Sequence, residues 1–133
     1  MKKLFVTLVS IVAFSGFVFG QEAATENKNA PEIEFTSVVH DFGTIPYEGN
    51  GTYTFEFKNV GKEPLVLGEV RSSCGCTTPE YTKNPIKKGE KGQIKVTYNT
   101  KIIGPFTKSI YVPSNAKTPN VTLTIKGTVS DKK

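Results

Sequence analysis

The chain has 133 residues, a length suited to one domain, with 17 basic and 12 acidic side chains and a formal charge of +5. The lysines are scattered and Arg71 is the sole arginine. That pattern argues against a nucleic-acid reader, which gathers basic residues on one face and favours arginine for bidentate contacts.

The first element is a leader. Lys2 and Lys3 open the chain, and residues 4–19 are almost wholly apolar. Val18-Phe19-Gly20 then offers the pattern a signal peptidase reads, so residues 1–20 form a signal peptide with cleavage expected after Gly20. The apolar stretch is shorter than the about 20 residues a spanning helix requires. No later stretch approaches that length, so no membrane span is expected in the mature form. The protein is expected to be exported, to the periplasm or the exterior. Losing Lys2 and Lys3 leaves 15 basic against 12 acidic residues, a mild +3.

Residues 21–30, QEAATENKNA, are polar and without periodicity, and read as a disordered spacer. From Pro31 the pattern changes to short β-branched and aromatic runs punctuated by Gly, Pro and Asn. Ile33 to Val39 predicts a strand. His40 to Pro46 predicts a kinked crossover, because Gly43 and Pro46 interrupt a ladder. Glu48-Gly49-Asn50-Gly51 predicts a turn. Thr52 to Lys58 alternates, with Tyr53, Phe55 and Phe57 on one face, as a half-buried strand does. Leu65 to Val70 predicts another strand.

Thr77 to Lys91 holds Pro79, Pro85 and Gly89 and reads as a long irregular segment with a short strand near Pro79 to Lys83. Ile94, Val96 and Tyr98 alternate with polar residues, as do the runs Phe106 to Val112 and Val121 to Ile125. The last run ends near the chain terminus and suits a sheet edge guarded by Lys126. About seven strands at sandwich spacing predict an all-β, two-sheet sandwich over residues 31–130, with a β-barrel as the other architecture.

Several segments follow one pattern in order: His40-Asp41-Phe42-Gly43-Thr44-Ile45, Phe55-Glu56-Phe57-Lys58-Asn59-Val60-Gly61, Pro64-Leu65, Cys74-Gly75-Cys76-Thr77 and Lys88-Gly89-Glu90. This resembles the bacterial domain-of-unknown-function family numbered fifteen seventy-three, across residues 31–129. The resemblance implies an immunoglobulin-like fold, similar to the domains of major sperm protein and pilus chaperones, and export in a bacterium. It implies no activity, and fold kinship alone licenses none.

Cys74 and Cys76 are the one chemically pointed feature. A disulfide between them would close a loop of three residues and contribute only about 1.6 kcal/mol of chain entropy. Three readings stand side by side. The pair is a tight turn of two thiols or a weak disulfide, with Gly75 supplying an unusual backbone angle. Or it is redox-active, with Lys83, Lys87, Lys88 and Lys91 favouring thiolate if they fold back over it. Or it binds a soft metal such as copper(I), with His40 as a third ligand. A closed zinc site wants four ligands and is disfavoured.

His40 beside Asp41 hints at an oriented imidazole, but adjacent strand residues face opposite ways, and a turn histidine satisfied by backbone is the simpler reading. A Cys74–His40 nucleophile pair would need a strand crossing to unite them. No catalytic residue is assigned and no cofactor is expected, copper aside. The leading expectation is a non-catalytic module that binds a protein partner or a cell-envelope structure, through a face or an edge strand. The other is a thiol redox or copper-binding protein built on Cys74 and Cys76.

Overall fold

The computed structural model describes residues 28–131. The leader over 1–20 and most of the spacer lie outside the described residues. The spacer's end is tied down: the Asn29 carbonyl accepts the Glu63 N–H at 2.9 Å, and Pro31 is buried.

The described residues contain eight strands and no helix: β1 (Ile33–Phe35), β2 (Val39–Ile45), β3 (Thr52–Asn59), β4 (Arg71–Ser72), β5 (Thr77–Tyr81), β6 (Lys91–Tyr98), β7 (Gly104–Pro113) and β8 (Asn120–Val129). They form two four-stranded sheets, ordered β1-β3-β6-β5 and β2-β8-β7-β4. The first sheet is antiparallel throughout, and in the second β2 runs parallel to β8. Two separate sheets exclude the barrel.

Alternation along β3 and β6 sets the core. Phe55, Phe57, Ile94 and Val96 point inward from the first sheet and are almost wholly buried. Ile110, Val112, Leu123 and Ile125 meet them from the second. Each such side chain contributes about 1.5–3 kcal/mol relative to exposure. Tyr98 stacks on Phe106 at 3.8 Å between centroids, joining the end of β6 to the start of β7.

The crossover between the sheets comes earlier than the sequence predicts. β1 stops at Phe35, and β2 begins in the other sheet at Val39. His40 to Ile45 is strand, not crossover, and Gly43 acts within it. Gly43 sits at φ 64, and the pairing with β8 shifts between Asp41 and Thr44. One extra residue is thus accommodated as a bulge, with the Gly43 N–H donating to Asp41 Oδ1 at 2.8 Å. The bulge resets the alternation: His40 and Phe42 are partly buried before it, and Ile45 is buried after it.

Two further expectations change, and a third holds with moved bounds. Leu65 to Val70 forms single bridges, Leu65 to Ile86 and Leu67 to Ser114, so its leucines are buried without a continuous ladder. The short strand expected in the irregular segment is present as β5, beginning two residues before Pro79, and is paired to β6 over its whole length. Finally, β8 is no edge. It lies between β2 and β7, and the edges are β1, β2, β4 and β5.

The Phe-x-Phe-x-Asn-x-Gly run has a structural cause. Asn59 is fully buried, and its amide donates to the Glu63 carbonyl at 2.7 Å and the Ile86 carbonyl at 2.9 Å. Its Oδ1 accepts the Gly61 N–H at 2.9 Å and the Glu32 N–H at 3.3 Å. One side chain therefore pins three loops. At Gly61 a Cβ would collide with the Ala30 carbonyl and with Pro31 Cα, so no larger residue fits there.

Candidate functional site

Four backbone edges, on β1, β2, β4 and β5, are placed where another strand could add. Each of the four carries its own block. On β1 the Ile33 N–H is taken by Glu32 Oε1 at 3.0 Å. On β2 the Val38 carbonyl faces β8, so Val39 faces out, and Ser37 Oγ occupies both its groups. That hydroxyl donates to the Val39 carbonyl at 2.8 Å and accepts its N–H at 3.4 Å. At the two ends of β5, Cys76 bonds to Asn99 just past β6 and Thr82 bonds to Gln93 of β6, so Pro79 turns its proton-less nitrogen to the open side. β4 has two residues, and beyond it the Ser72 hydroxyl is shared between the carbonyls of Cys74 at 2.6 Å and Thr77 at 2.7 Å.

That last contact belongs to the cysteine corner, where the chain leaves the edge of one sheet at β4 and enters the edge of the other at β5. Cys74 and Cys76 are joined as a disulfide, with Cα atoms 5.3 Å apart. The backbone is fastened independently of that bond. Ser72 holds two carbonyls, the Thr77 N–H reaches the Cys74 carbonyl at 3.4 Å, and the Asn99 N–H donates to the Cys76 carbonyl at 2.8 Å. The Cys76 N–H lies 3.3 Å from Cys74 Sγ as a donor. Cys76 packs against the hydrophobic core. Gly75 has no positive φ, and a Cβ there would meet nothing within 4 Å. The unusual backbone angle expected of Gly75 is therefore absent, and its surroundings are open.

The structure does not bring the other proposed ligands and helpers to this corner. His40 is on β2, the opposite edge of the second sheet from β4, with β8 and β7 between. Three strand spacings amount to about 14 Å, too far for a shared metal or a Cys74–His40 nucleophile. Lys83, Lys87, Lys88 and Lys91 lie beyond the far end of β5, which pairs with Tyr98 at Thr77 and with Ile94 at Tyr81. No group of three or more His, Cys, Asp or Glu that could hold a metal exists among the described residues. In the disulfide state the cysteines offer no thiolate to copper.

His40 is a stacking residue of β2, not a turn histidine. Its ring lies flat on Tyr53 at 3.6 Å and meets Phe42 edge-on at 4.5 Å. Burial lowers its pKa from the ordinary 6.5, against a smaller upward pull from Asp41. Asp41 itself points outward and serves Gly43.

Next to the cysteine corner two loops are tied into one end of the sandwich. Asn99 links the corner to the β6–β7 loop, residues 99–103. Thr100 links that loop to the β2–β3 loop: its carbonyl accepts the Glu48 N–H at 3.1 Å, and its hydroxyl donates to the Gly49 carbonyl at 2.8 Å. Glu48 is the one non-glycine residue with positive φ, 60°, among the described residues. Strained backbone of this kind is held where surrounding contacts over-determine it, often at functional sites. At the apex stand Ile102 and Ile103, 44% and 51% exposed, after a turn closed by the Ile102 N–H on the Asn99 carbonyl at 3.2 Å. The sequence reading passed over this pair. Its signal was two adjacent isoleucines in a loop bounded by Asn99-Thr100 and Gly104-Pro105, where polar residues are the norm.

The family described as "Protein of unknown function (DUF1573)" matches residues 33–129. No curated protein matches the sequence. Among solved structures, a protein of unknown function from Porphyromonas gingivalis W83 is 19% identical with a TM-score of 0.70, covering 81% of this chain and 51% of its own. The chain thus spans about half the length of that relative. The ASH / PapD-like domain 7 of human CEP192 is 10% identical with a TM-score of 0.67, each chain wholly covered. The CsuC-CsuE chaperone-tip adhesion subunit complex of Acinetobacter baumannii is 12% identical with a TM-score of 0.52, covering 73% of this chain and 56% of its own. At these identities the likeness establishes the PapD-like, immunoglobulin-like sandwich and nothing more.

Proposed function

This chain belongs to the DUF1573 family, and from that premise we propose that it is an exported, non-catalytic interaction module that grips a protein partner with one loop end of its sandwich. The observation that carries this reading is the exposed Ile102–Ile103 pair on a loop fastened at Asn99 and Thr100. Rigid apolar side chains held out into water bind with little ordering cost. Loops at the end of a sandwich are the usual place for recognition. Val38 and Val39 form a second exposed aliphatic pair, 44% and 48%, but they lie where Ser37 seals the edge. The blocked edges favour the loop end over strand addition. A pilus chaperone among the fold neighbours supports a protein as the partner class.

The test compares three mature chains as baits in envelope extract of the source cell: wild type, I102D/I103D, and the edge variant S37A/P79V. Partner species retained by wild type and S37A/P79V but lost from I102D/I103D are expected. Retention that survives I102D/I103D, or that is lost only from S37A/P79V, contradicts the reading.

A further inference from the structure

We propose that the Cys74–Cys76 disulfide is a thiol–disulfide exchange site for an external dithiol, in which Cys74 is the sulfur attacked and Cys76 the resolving one. Four observations converge on it. The bond closes a loop of three residues, so making or breaking it changes the chain-entropy term by only about 1.6 kcal/mol. The corner keeps its shape without the bond, because Ser72, Thr77 and Asn99 hold the carbonyls of Cys74, Thr77 and Cys76. The reduced thiols therefore stay adjacent and can close again. Both cysteines are half-buried, but Cys76 is the one packed on the core, so an incoming sulfur meets Cys74 first. Finally, the Cys76 N–H aims at Cys74 Sγ, the kind of donor that supports a thiolate there.

A thiolate of the external dithiol attacks Cys74 Sγ, the Cys74–Cys76 bond breaks, and Cys76 leaves with the electron pair and takes up a proton. The second thiol of the dithiol, deprotonated, attacks its own sulfur in the mixed disulfide. Cys74 departs as thiolate, backed by the Cys76 N–H, and is protonated in turn. The dithiol has lost two electrons and two protons, and Cys74 and Cys76 have gained them. The reverse sequence reduces an external disulfide, with Cys74 as nucleophile and Cys76 resolving the mixed species. The loop-end contact of Ile102 and Ile103 is not required for this chemistry, so each proposal can fail without the other.

The probe is glutathione disulfide, applied to the folded mature variants C76S and C74S and followed by mass. C76S, which keeps Cys74, is expected to form the mixed disulfide at least tenfold faster than C74S. The wild-type chain provides a control that needs no variant. After dithiothreitol reduction and limiting iodoacetamide, the label is expected on Cys74 over Cys76, with an unchanged circular dichroism spectrum. Equal reactivity of the two sulfurs, preference for Cys76, a disulfide that resists dithiothreitol while the chain is folded, or loss of fold on reduction overturns the proposal.

Discussion

The Asn59 amide donates to the Ile86 carbonyl at 2.9 Å inside the protein, with no water-exposed surface on Asn59. Removing it leaves this carbonyl only the Leu65 N–H at 2.8 Å, takes away the donor to the Glu63 carbonyl, and strands the Gly61 N–H. An unsatisfied buried polar group costs about 1–3 kcal/mol. N59A is therefore expected to lose about 1–3 kcal/mol in urea denaturation.

Two glycines of the sequence motifs are expected to behave in opposite ways. G61A forces a Cβ into the backbone of Ala30 and Pro31 and should cost about 1–3 kcal/mol. G75A meets nothing within 4 Å and has no positive φ to lose, so its stability should stay within about 1 kcal/mol of wild type. Thermal melts of the two variants side by side check this.

Stability should fall in mild acid because of His40. Burial lowers its folded pKa below the ordinary 6.5, so the unfolded chain takes up the proton first as pH drops. The stabilisation is complete above 6.5 and is lost as pH falls through the folded pKa. H40F, which keeps an aromatic ring on Tyr53, is expected to show a shallower loss between pH 7 and pH 5. Urea midpoints at the two pH values measure it, and identical slopes for both proteins would refute the assignment.

The disulfide should contribute little to the fold. C74S/C76S is expected to lose less than about 2 kcal/mol, the chain-entropy value for a three-residue loop being about 1.6 kcal/mol. Chemical denaturation without reductant reads this directly.

Opening an edge should make the protein self-associate. P79V restores an N–H facing outward on β5, and S37A frees both backbone groups of Val39. Sedimentation of S37A/P79V is expected to show dimers or larger species at concentrations where wild type shows less association.

The sandwich was legible because Phe55, Phe57, Ile94 and Val96 alternate strictly and obey a local rule. What escaped depends on partners distant in sequence. Gly43 signalled a break, but whether it marks a crossover or a bulge is decided by β8, about 80 residues on. The place of β8 in the middle of its sheet follows from parallel pairing with β2, which no period in either strand encodes. Leu65 and Leu67 looked like a strand because burial alternates there, yet their hydrogen bonds go to isolated bridges. The cysteines themselves were conspicuous. That His40 and the lysines lie elsewhere is a fact of topology, and the loop end centred on Thr100 is assembled from three segments far apart in the chain.

The most direct measurement places a photo-crosslinking residue at position 103, and separately at position 39, in the exporting cell. The loop-end account expects discrete protein adducts from Ile103 and none from Val39. Adducts from Val39 alone would show that recognition runs along the β2 edge, and the loop end would lose its role.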